Sequence, residues 1–517
     1  MTEHRNNPGT GQGGERRNHK GRQRSRGQNR SGQPRQFSKA APSQRRRSAD
    51  PARLTAFRVL RAVSRDDAYA NLVLPAEIRR AKLDKRDAGF ATELTYGTLR
   101  AHGTYDQLLA QCVDRELSAL DPSVLDALRL GAHQLLAMRV NTHAAVNETV
   151  GLVRDQIGAG PGGLVNAVLR RLSEKTFDEW ITELTQGQSE EEAVALRHAH
   201  PAWVVRALKQ ALRLHGRGDD LADLLAADNA APEIHLVGLP GMAEEAGQKH
   251  LAAAVEHGAV PSQLIDGAAV FRGGDVGRLD GVREGQLRVQ DIGSQWIARA
   301  LAEPAVQPAE KWLDLCAGPG GKASLLAALA AEFDVTLTAN EPAPHRAELV
   351  RKALSPVAER AWNVRTGDGR TIGQDAPGPY DRIIVDAPCT GLGALRRRPE
   401  SRWRRRPSDL AELTVLQEQL LDTAADVLAP EGFLAYVTCS PHPAETVAQV
   451  QDLLRRRPEL ELLDAHEVMA DVALPQGAEL INSRPAVTDP TAARCVQLWP
   501  HIHGTDAMFF ALLQKTD

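Results

Sequence analysis

From Lys311 onward the chain alternates short apolar runs with helical segments, and no other feature restricts its fold as strongly. Such alternation folds as a parallel sheet with helices on both faces. The runs predict strands over 312–316, 335–340, 362–366, 380–386, 432–438 and 508–513, with helices between most of them, notably over 408–428 and 444–454. The first strand runs into Cys316-Ala317-Gly318-Pro319-Gly320-Gly321-Lys322 and then into a helix over 323–331. A strand, a tight glycine turn and a helix N-terminus at the carboxyl edge of a doubly wound sheet make a site for an adenosine-containing ligand. The glycines admit close approach, and the free N–H groups of the first helical turn face an anionic group.

Spacing argues against two other nucleotide loops. A phosphate-binding P-loop needs glycine six residues before Lys322 and Ser or Thr after it, where this chain has Cys316 and Ala323. The dinucleotide pattern GxGxxG is not met either, since Gly318-Pro319-Gly320 is followed by Gly321-Lys322-Ala323. Acids then arrive at strand ends. Glu341 closes the second strand, where a carboxylate accepts both ribose hydroxyls. Asp368 follows the third, placed to meet an adenine amino group, and Asp386 closes the fourth. Any one of these alone reads as a cap; three in succession after this glycine turn read as a ligand site.

The five cysteines (112, 316, 389, 439 and 495) are scattered and odd in number, with no CxxC, HExxH or Cys/His cluster. Neither a disulfide framework nor a metal site is expected, so a functional cysteine is a free thiol. Two of them follow predicted strands. Asp386-Ala387-Pro388-Cys389-Thr390-Gly391-Leu392-Gly393 comes after the fourth, and Thr438-Cys439-Ser440-Pro441 after the fifth, ahead of a helix whose positive end would lower a thiol pKa. A lone cysteine here reads as buried and inert. A pair at adjacent strand ends, on the edge that carries the glycine turn, reads as chemistry. A thiolate added to C6 of cytosine pushes electron density onto C5, itself a poor nucleophile, for attack on a methyl donor. The C5 proton then leaves and elimination frees the thiol. Either cysteine qualifies on position.

Before this region, residues 52–172 carry helical periodicity, with Leu54, Phe57, Val59, Leu60 and Val63, then Leu108, Leu109 and Val113. Asp121-Pro122 reads as a helix start, followed by a broad apolar face from Val124 to Leu136. Residues 190–300 are less regular: His200-Pro201-Ala202-Trp203 opens a helix and 232–237 reads as a short strand. The net charge of −3 hides an asymmetry, since residues 1–50 hold 13 Lys/Arg against 3 Asp/Glu and the rest 50 against 63. That tail has almost no large apolar residues and is expected to be disordered, either a solubilising extension or an arm on phosphates. A second basic run, Arg396 to Arg406, holds seven arginines and Trp403, and reads as an RNA contact with stacking by the indole. No apolar run suits a membrane span and no secretory core opens the chain, so a cytoplasmic protein is expected.

Longer strings carry a family resemblance. Arg86-Asp87-Ala88-Gly89-Phe90, the run Glu93 to Arg100, Leu130 to Leu136, His143 to Glu148 and Val165 to Arg171 resemble, in order, the NusB-like RNA-binding domain. Val289-Gln290-Asp291-Ile292-Gly293-Ser294-Gln295 resembles a string that precedes the catalytic domain of RNA cytosine methyltransferases. With the two cysteine strings, residues 51–517 resemble the RsmB (Sun/Fmu) group of 16S ribosomal RNA cytosine-5 methyltransferases. The third strand and the segment 495–513 match loosely, and the basic tail lies outside the pattern. The resemblance implies a tail (1–50), an all-α NusB-like RNA-binding domain (51–190), a small linking subdomain (191–300) and an α/β Rossmann-like catalytic domain (301–517). It implies S-adenosylmethionine (AdoMet) as methyl donor, bound by Cys316, Ala317, Gly318, Pro319, Gly320, Gly321 and Lys322 with Glu341, Asp368 and Asp386. Cys439 becomes the nucleophile, Cys389 assists product release, and Asp386 also contacts the cytosine. In DNA cytosine methyltransferases the Pro-Cys thiol is the nucleophile, so the Thr-Cys-Ser cysteine favours RNA. The expected partner is 16S ribosomal RNA, bound by a monomer without metal or membrane. A transfer-RNA cytosine-5 methyltransferase, and a non-catalytic RNA-binding or transcription-associated protein, stay as alternatives.

Overall fold

At the start of the helical region Asp50 caps a helix: its carboxylate accepts from the Arg53 N–H at 2.9 Å, and Pro51 occupies the first turn. This opens α1 (Pro51–Arg65), the first of seven helices with α2 (Ala70–Ala81), α3 (Lys85–Arg100), α4 (His102–Ala110), α5 (Pro122–Leu136), α6 (Thr142–Gln156) and α7 (Gly162–Leu172). The computed structural model describes residues 49–241, 245–376 and 378–516, so the basic tail over 1–48 lies outside the described residues. Helix α5 begins at the Asp-Pro pair, with the Asp121 carboxylate accepting from the Ser123 N–H at 2.7 Å. Phe57, Leu94, Leu108, Leu128, Leu152 and Leu169 meet in one core. A side chain on Gly97 would run into the His133 ring, and one on Gly131 would press on Leu169, so α3, α5 and α7 approach closely because those positions are small.

Four further helices (Phe177–Leu184, Glu190–Arg197, Ala202–Leu214 and Leu221–Asn229) lead to a small antiparallel sheet. Its strands β1 (Ile234–Gly238), β2 (Ala259–Pro261), β3 (Ala268–Phe271) and β4 (Leu287–Val289) lie in the order β2-β3-β1-β4. The sequence predicts one of these four, because strands of three or four residues carry too little alternation to register.

The large sheet contains β5 (Lys311–Asp314), β6 (Thr336–Glu341), β7 (Trp362–Thr366), β8 (Tyr380–Asp386), β9 (Leu428–Thr438), β10 (Leu460–Leu462), β11 (Val496–Gln497) and β12 (Phe509–Lys515). Its order is β10-β12-β9-β8-β5-β6-β7, with β11 paired to β12. Strands β5 to β9 are parallel, but β10, β11 and β12 pair antiparallel, so the expected parallel sheet is in fact mixed. The final strand is reached without a crossover helix long enough to reverse it, which leaves the antiparallel edge. Side chains alternate between two cores. Ile384, Ala435, Val437 and Phe510 pack on one face, and Ile383, Val385, Leu434, Tyr436 and Phe509 on the other. Both faces are therefore covered and the strands read as continuous apolar runs. The chain moves outward from β5 through β6 to β7, then returns to β8 on the other side of β5. That reversal opens a crevice at the carboxyl ends of β5 and β8. Among the described residues no helix is long and apolar enough to cross a membrane.

Candidate active site

Register brings three loops together at the crevice. Asp314 stands opposite Ile384 and Asp386 opposite Val437, so the glycine turn, the Pro-Cys loop and the Thr-Cys-Ser loop leave neighbouring strands at one level. The turn is tied down by the Leu315 N–H to the Ile384 carbonyl and the Ala317 N–H to the Asn340 carbonyl, each at 2.9 Å. Gly320 has φ +106°, which a side chain would strain, and a Cβ on Gly318 would collide with Glu341 Oε2. The helix that follows, Gly321–Glu332, points its N-terminus into the crevice edge with no side-chain cap.

Buried carboxylates crowd beneath the turn. Asp314 is pushed up to about 7 by burial and by the neighbouring Asp386 and Glu341 charges, against the opposing Lys322 ammonium. Lys322 Nζ lies 2.9 Å from Asp386 Oδ2, and that carboxylate holds the buried ammonium's pKa up despite its burial. Glu341 is buried; its Oε1 accepts the Ala343 N–H at 3.0 Å, and Oε2 lies 3.4 Å from Arg346, which donates to the Gly318 carbonyl at 2.7 Å. Two cations, Lys322 and Arg346, therefore face three carboxylates, a surplus that suits a cationic ligand. Asp368 stands at the same edge, but its carboxylate caps the Arg370 N–H and is gripped by the Arg370 guanidinium at 2.6 to 3.1 Å. Burial pushes the Cys316 thiol well above its usual value, so that cysteine contributes only backbone, its N–H reaching Asp314 Oδ1 at 3.3 Å.

The other two cysteines meet: Cys389 Sγ lies 3.4 Å from Cys439 Sγ. Both are free thiols. The hydrogen bond from Cys389 lowers the Cys439 pKa against burial and the Asp386 charge, with help from Lys322 and Arg398. Cys389 is raised well above its usual value by the same bond, by burial, by the Cys439 charge and by Glu445. The pair is thus unequal, with Cys439 the more acidic thiol and Cys389 the less acidic. The helix after Cys439 begins only at Val447, past a short turn at Pro443–Glu445, so neighbouring cations and the second thiol depress the pKa, not the helix end expected from sequence.

A residue the motifs did not single out fixes this geometry. Glu445 is fully buried and accepts the Thr390 N–H at 2.8 Å and the Thr390 hydroxyl at 2.5 Å. Gln417 donates to it at 3.2 Å and to the Pro388 carbonyl at 2.8 Å. The loop bearing Cys389 is therefore clamped on both sides of the cysteine. Gln417 had a readable signal, a polar residue on the apolar face shared with Leu420, Leu421 and Ala424; Glu445, in a Pro-rich loop, had none.

The arginine run departs from expectation. Arg396 and Arg397 pair with buried Asp506 and Asp291. Arg402 is fully buried and donates to the Ala199 and Asp228 carbonyls and to Asn229. The Trp403 indole donates to the Leu99 and Arg100 carbonyls at 3.1 Å, and Arg404 to those of Val63 and Ala68. These side chains join the large sheet to the helical region, so these arginines and the Trp403 N–H are engaged by protein carbonyls and carboxylates. Guanidinium forks satisfy carbonyls that helix ends leave orphaned, which a charge count along a sequence does not reveal.

A family model described as 16S rRNA methyltransferase RsmB/F matches residues 302–514, and the NusB family model matches residues 50–174. A Mycobacterium tuberculosis protein named as a methyltransferase is 46% identical over 474 residues, covering 91% of this chain and 98% of its own. Ribosomal RNA small subunit methyltransferase B of Pseudomonas putida is 33% identical over 440 residues, 83% of this chain and 94% of its own. The crystal structure of PH0851 superposes with a TM-score of 0.75 at 21% identity, covering 91% of this chain and 100% of its own. That of a methyltransferase homolog protein from Pyrococcus horikoshii gives 0.51 at 22% identity, over 63% and 99%.

Proposed function

This chain belongs to the 16S rRNA methyltransferase RsmB/F family, and from that premise we propose that it methylates C5 of a cytosine in small-subunit ribosomal RNA through a covalent bond from Cys439 to C6. At the coarser level it is an AdoMet-dependent RNA methyltransferase with a NusB-like helical region ahead of an α/β methyltransferase fold. In this reading residues 51–190 bind RNA, 191–300 link, and 301–517 carry catalysis, in a cytoplasmic monomer.

AdoMet supplies an electrophilic methyl group. The residues fit it: the segment Cys316 to Lys322 offers glycine-lined space and free N–H groups, and the carboxylate surplus of Asp314, Glu341 and Asp386 suits its cationic centres. We assign Glu341 to the ribose hydroxyls and Asp386 to both AdoMet and the polar edge of the cytosine. Asp368 reaches the adenine only if it releases Arg370. The Cys439 thiolate adds to C6, and C5 takes the methyl group. The C5 proton departs to a base, the C6–S bond breaks, and the thiolate is restored with assistance from Cys389. The target base is unpaired or flipped out to reach the sulfur.

The observation that carries this reading is the sulfur pair, 3.4 Å apart at the ends of β8 and β9, with Lys322 beside it. The test uses radiolabelled AdoMet and bulk RNA. Cys439→Ala abolishes transfer, and Cys389→Ala accumulates a covalent protein–RNA adduct. An adduct through Cys389 in the Cys439→Ala protein overturns the assignment, and label confined to transfer RNA moves the substrate to that class.

A further inference from the structure

Of the seven arginines between 396 and 406, five are engaged in the joint or in an ion pair: Arg396, Arg397, Arg402, Arg404 and Arg405. Arg398 differs. Its side chain is exposed, and among the described residues it makes no hydrogen bond and meets no carboxylate within ion-pair distance. It is nevertheless held. Its guanidinium lies 5.1 Å over the ring of Tyr69, at the foot of α2, and Arg404 lies 5.4 Å over the same ring. Arg404 is anchored in turn by the Val63 and Ala68 carbonyls and by Asp67. Tyr69 thus holds the guanidinium by its ring quadrupole, so the position is ordered while its donor N–H groups stay unengaged, and the buried Glu400 carboxylate acts on it only through its charge.

Arg398 also stands near the chemistry. The Gly393 N–H donates to the Cys439 carbonyl at 2.8 Å, and the Arg398 N–H to the Ala394 carbonyl at 3.0 Å, so one tight turn links Cys439 to Arg398. Its charge reaches the Cys439 sulfur. Beside it α2 presents Leu72, 70% exposed, one turn beyond the 38% exposed Tyr69.

We infer that Arg398, positioned by Tyr69 of the helical region, is a phosphate-binding subsite for the RNA strand at the rim of the cysteine site, with Leu72 offering apolar contact to the neighbouring nucleotide. A fixed, unpaired guanidinium presents the donor fork that a phosphodiester accepts, whereas a paired one is already neutralised. The helical region then contributes to catalysis by placing one charge of the catalytic region on the strand.

This inference rests on RNA being the substrate, but its test needs no methyl transfer. Binding of a fluorescent single-stranded RNA oligonucleotide to the full chain is titrated against salt. Arg398→Gln lowers affinity several-fold and makes the log–log salt slope shallower by about 0.7, the loss of one single-strand phosphate contact. Arg398→Lys restores the slope. Tyr69→Ala weakens binding in the parent and adds nothing in Arg398→Gln, because it acts through that guanidinium. Arg398 is exposed, so thermal unfolding of Arg398→Gln stays at the parent value, and Tyr69→Ala, which also loses its contact with Arg404, is titrated well below its own melting temperature. A parent slope in Arg398→Gln, or additive effects of the two substitutions, overturns the subsite. A parent that binds RNA but leaves C5 unmethylated overturns the catalytic reading instead.

Discussion

Two thiols of the same intrinsic acidity become different groups at 3.4 Å because their other neighbours differ. After their shared hydrogen bond, Cys439 faces Lys322 and Arg398, while Cys389 is buried against Glu445. The nucleophile is the thiolate, so its reactivity climbs as pH rises through the Cys439 pKa. Lys322 lowers that pKa, and it also compensates Asp386, which raises it. Lys322→Met therefore displaces the alkylation profile of Cys439 to higher pH and slows its reaction with iodoacetamide several-fold at pH 7. Site-resolved mass spectrometry reads this without AdoMet or RNA. A profile displaced to lower pH, or unmoved, contradicts the electrostatic account.

At the scale of elements, the informative segment is the short helix Ser401–Arg404 with its flanks. Its charges and its indole face inward, onto the ends of α1 and α3 and the helices beyond. Gly103, in α4, is the counterpart of this packing, since a Cβ there would enter the Trp403 ring. Gly103→Val is expected to cost about 1–3 kcal/mol, as overpacking does in tight cores, lowering the denaturant midpoint. Combining it with Trp403→Ala, which removes the obstructing ring, should cost less than the two single changes added together. Additive losses would show that the glycine answers to something other than the tryptophan.

For the molecule as a whole, burial of titratable groups sets how stability depends on pH. Burial lowers His200 well below its ordinary 6.5, His215 to about 4 and His503 to about 3. Each stays neutral when folded but takes a proton when unfolded below pH 6.5, so each lends stability that grows as pH rises from about 4 to 6.5. Asp228 and Asp314, raised to about 7, work in the opposite sense, holding protons in the fold that the unfolded chain gives up above about 4. Three strongly shifted histidines outweigh Asp228 and Asp314, and the four histidines lowered less, His198, His442, His466 and His501, outnumber the two acids raised less, Glu400 and Asp506. The melting temperature should therefore climb between pH 5 and 6.5 and flatten above it. A fall across that interval would mean the acids dominate.

Local chemistry was enough to determine much of this protein. Strands β7 and β8 stand at the residues their apolar runs indicate, α5 opens at Asp121-Pro122, and the glycine turn sits between a strand and a helix. Each follows from interactions within a few residues: side-chain alternation, a capping carboxylate, a ring-fixed φ. Tertiary structure alone decided the antiparallel edge, the short strands of the small sheet, the clamp of Glu445 and Gln417, and the division of the arginine run between the joint and the surface, with Arg398 and Arg404 sharing the Tyr69 ring. A charge or a buried carboxylate acquires its role from partners 28 to more than 300 residues away along the chain. Coulombic and hydrogen-bonding energies depend on distance in space, and no spacing in sequence encodes it.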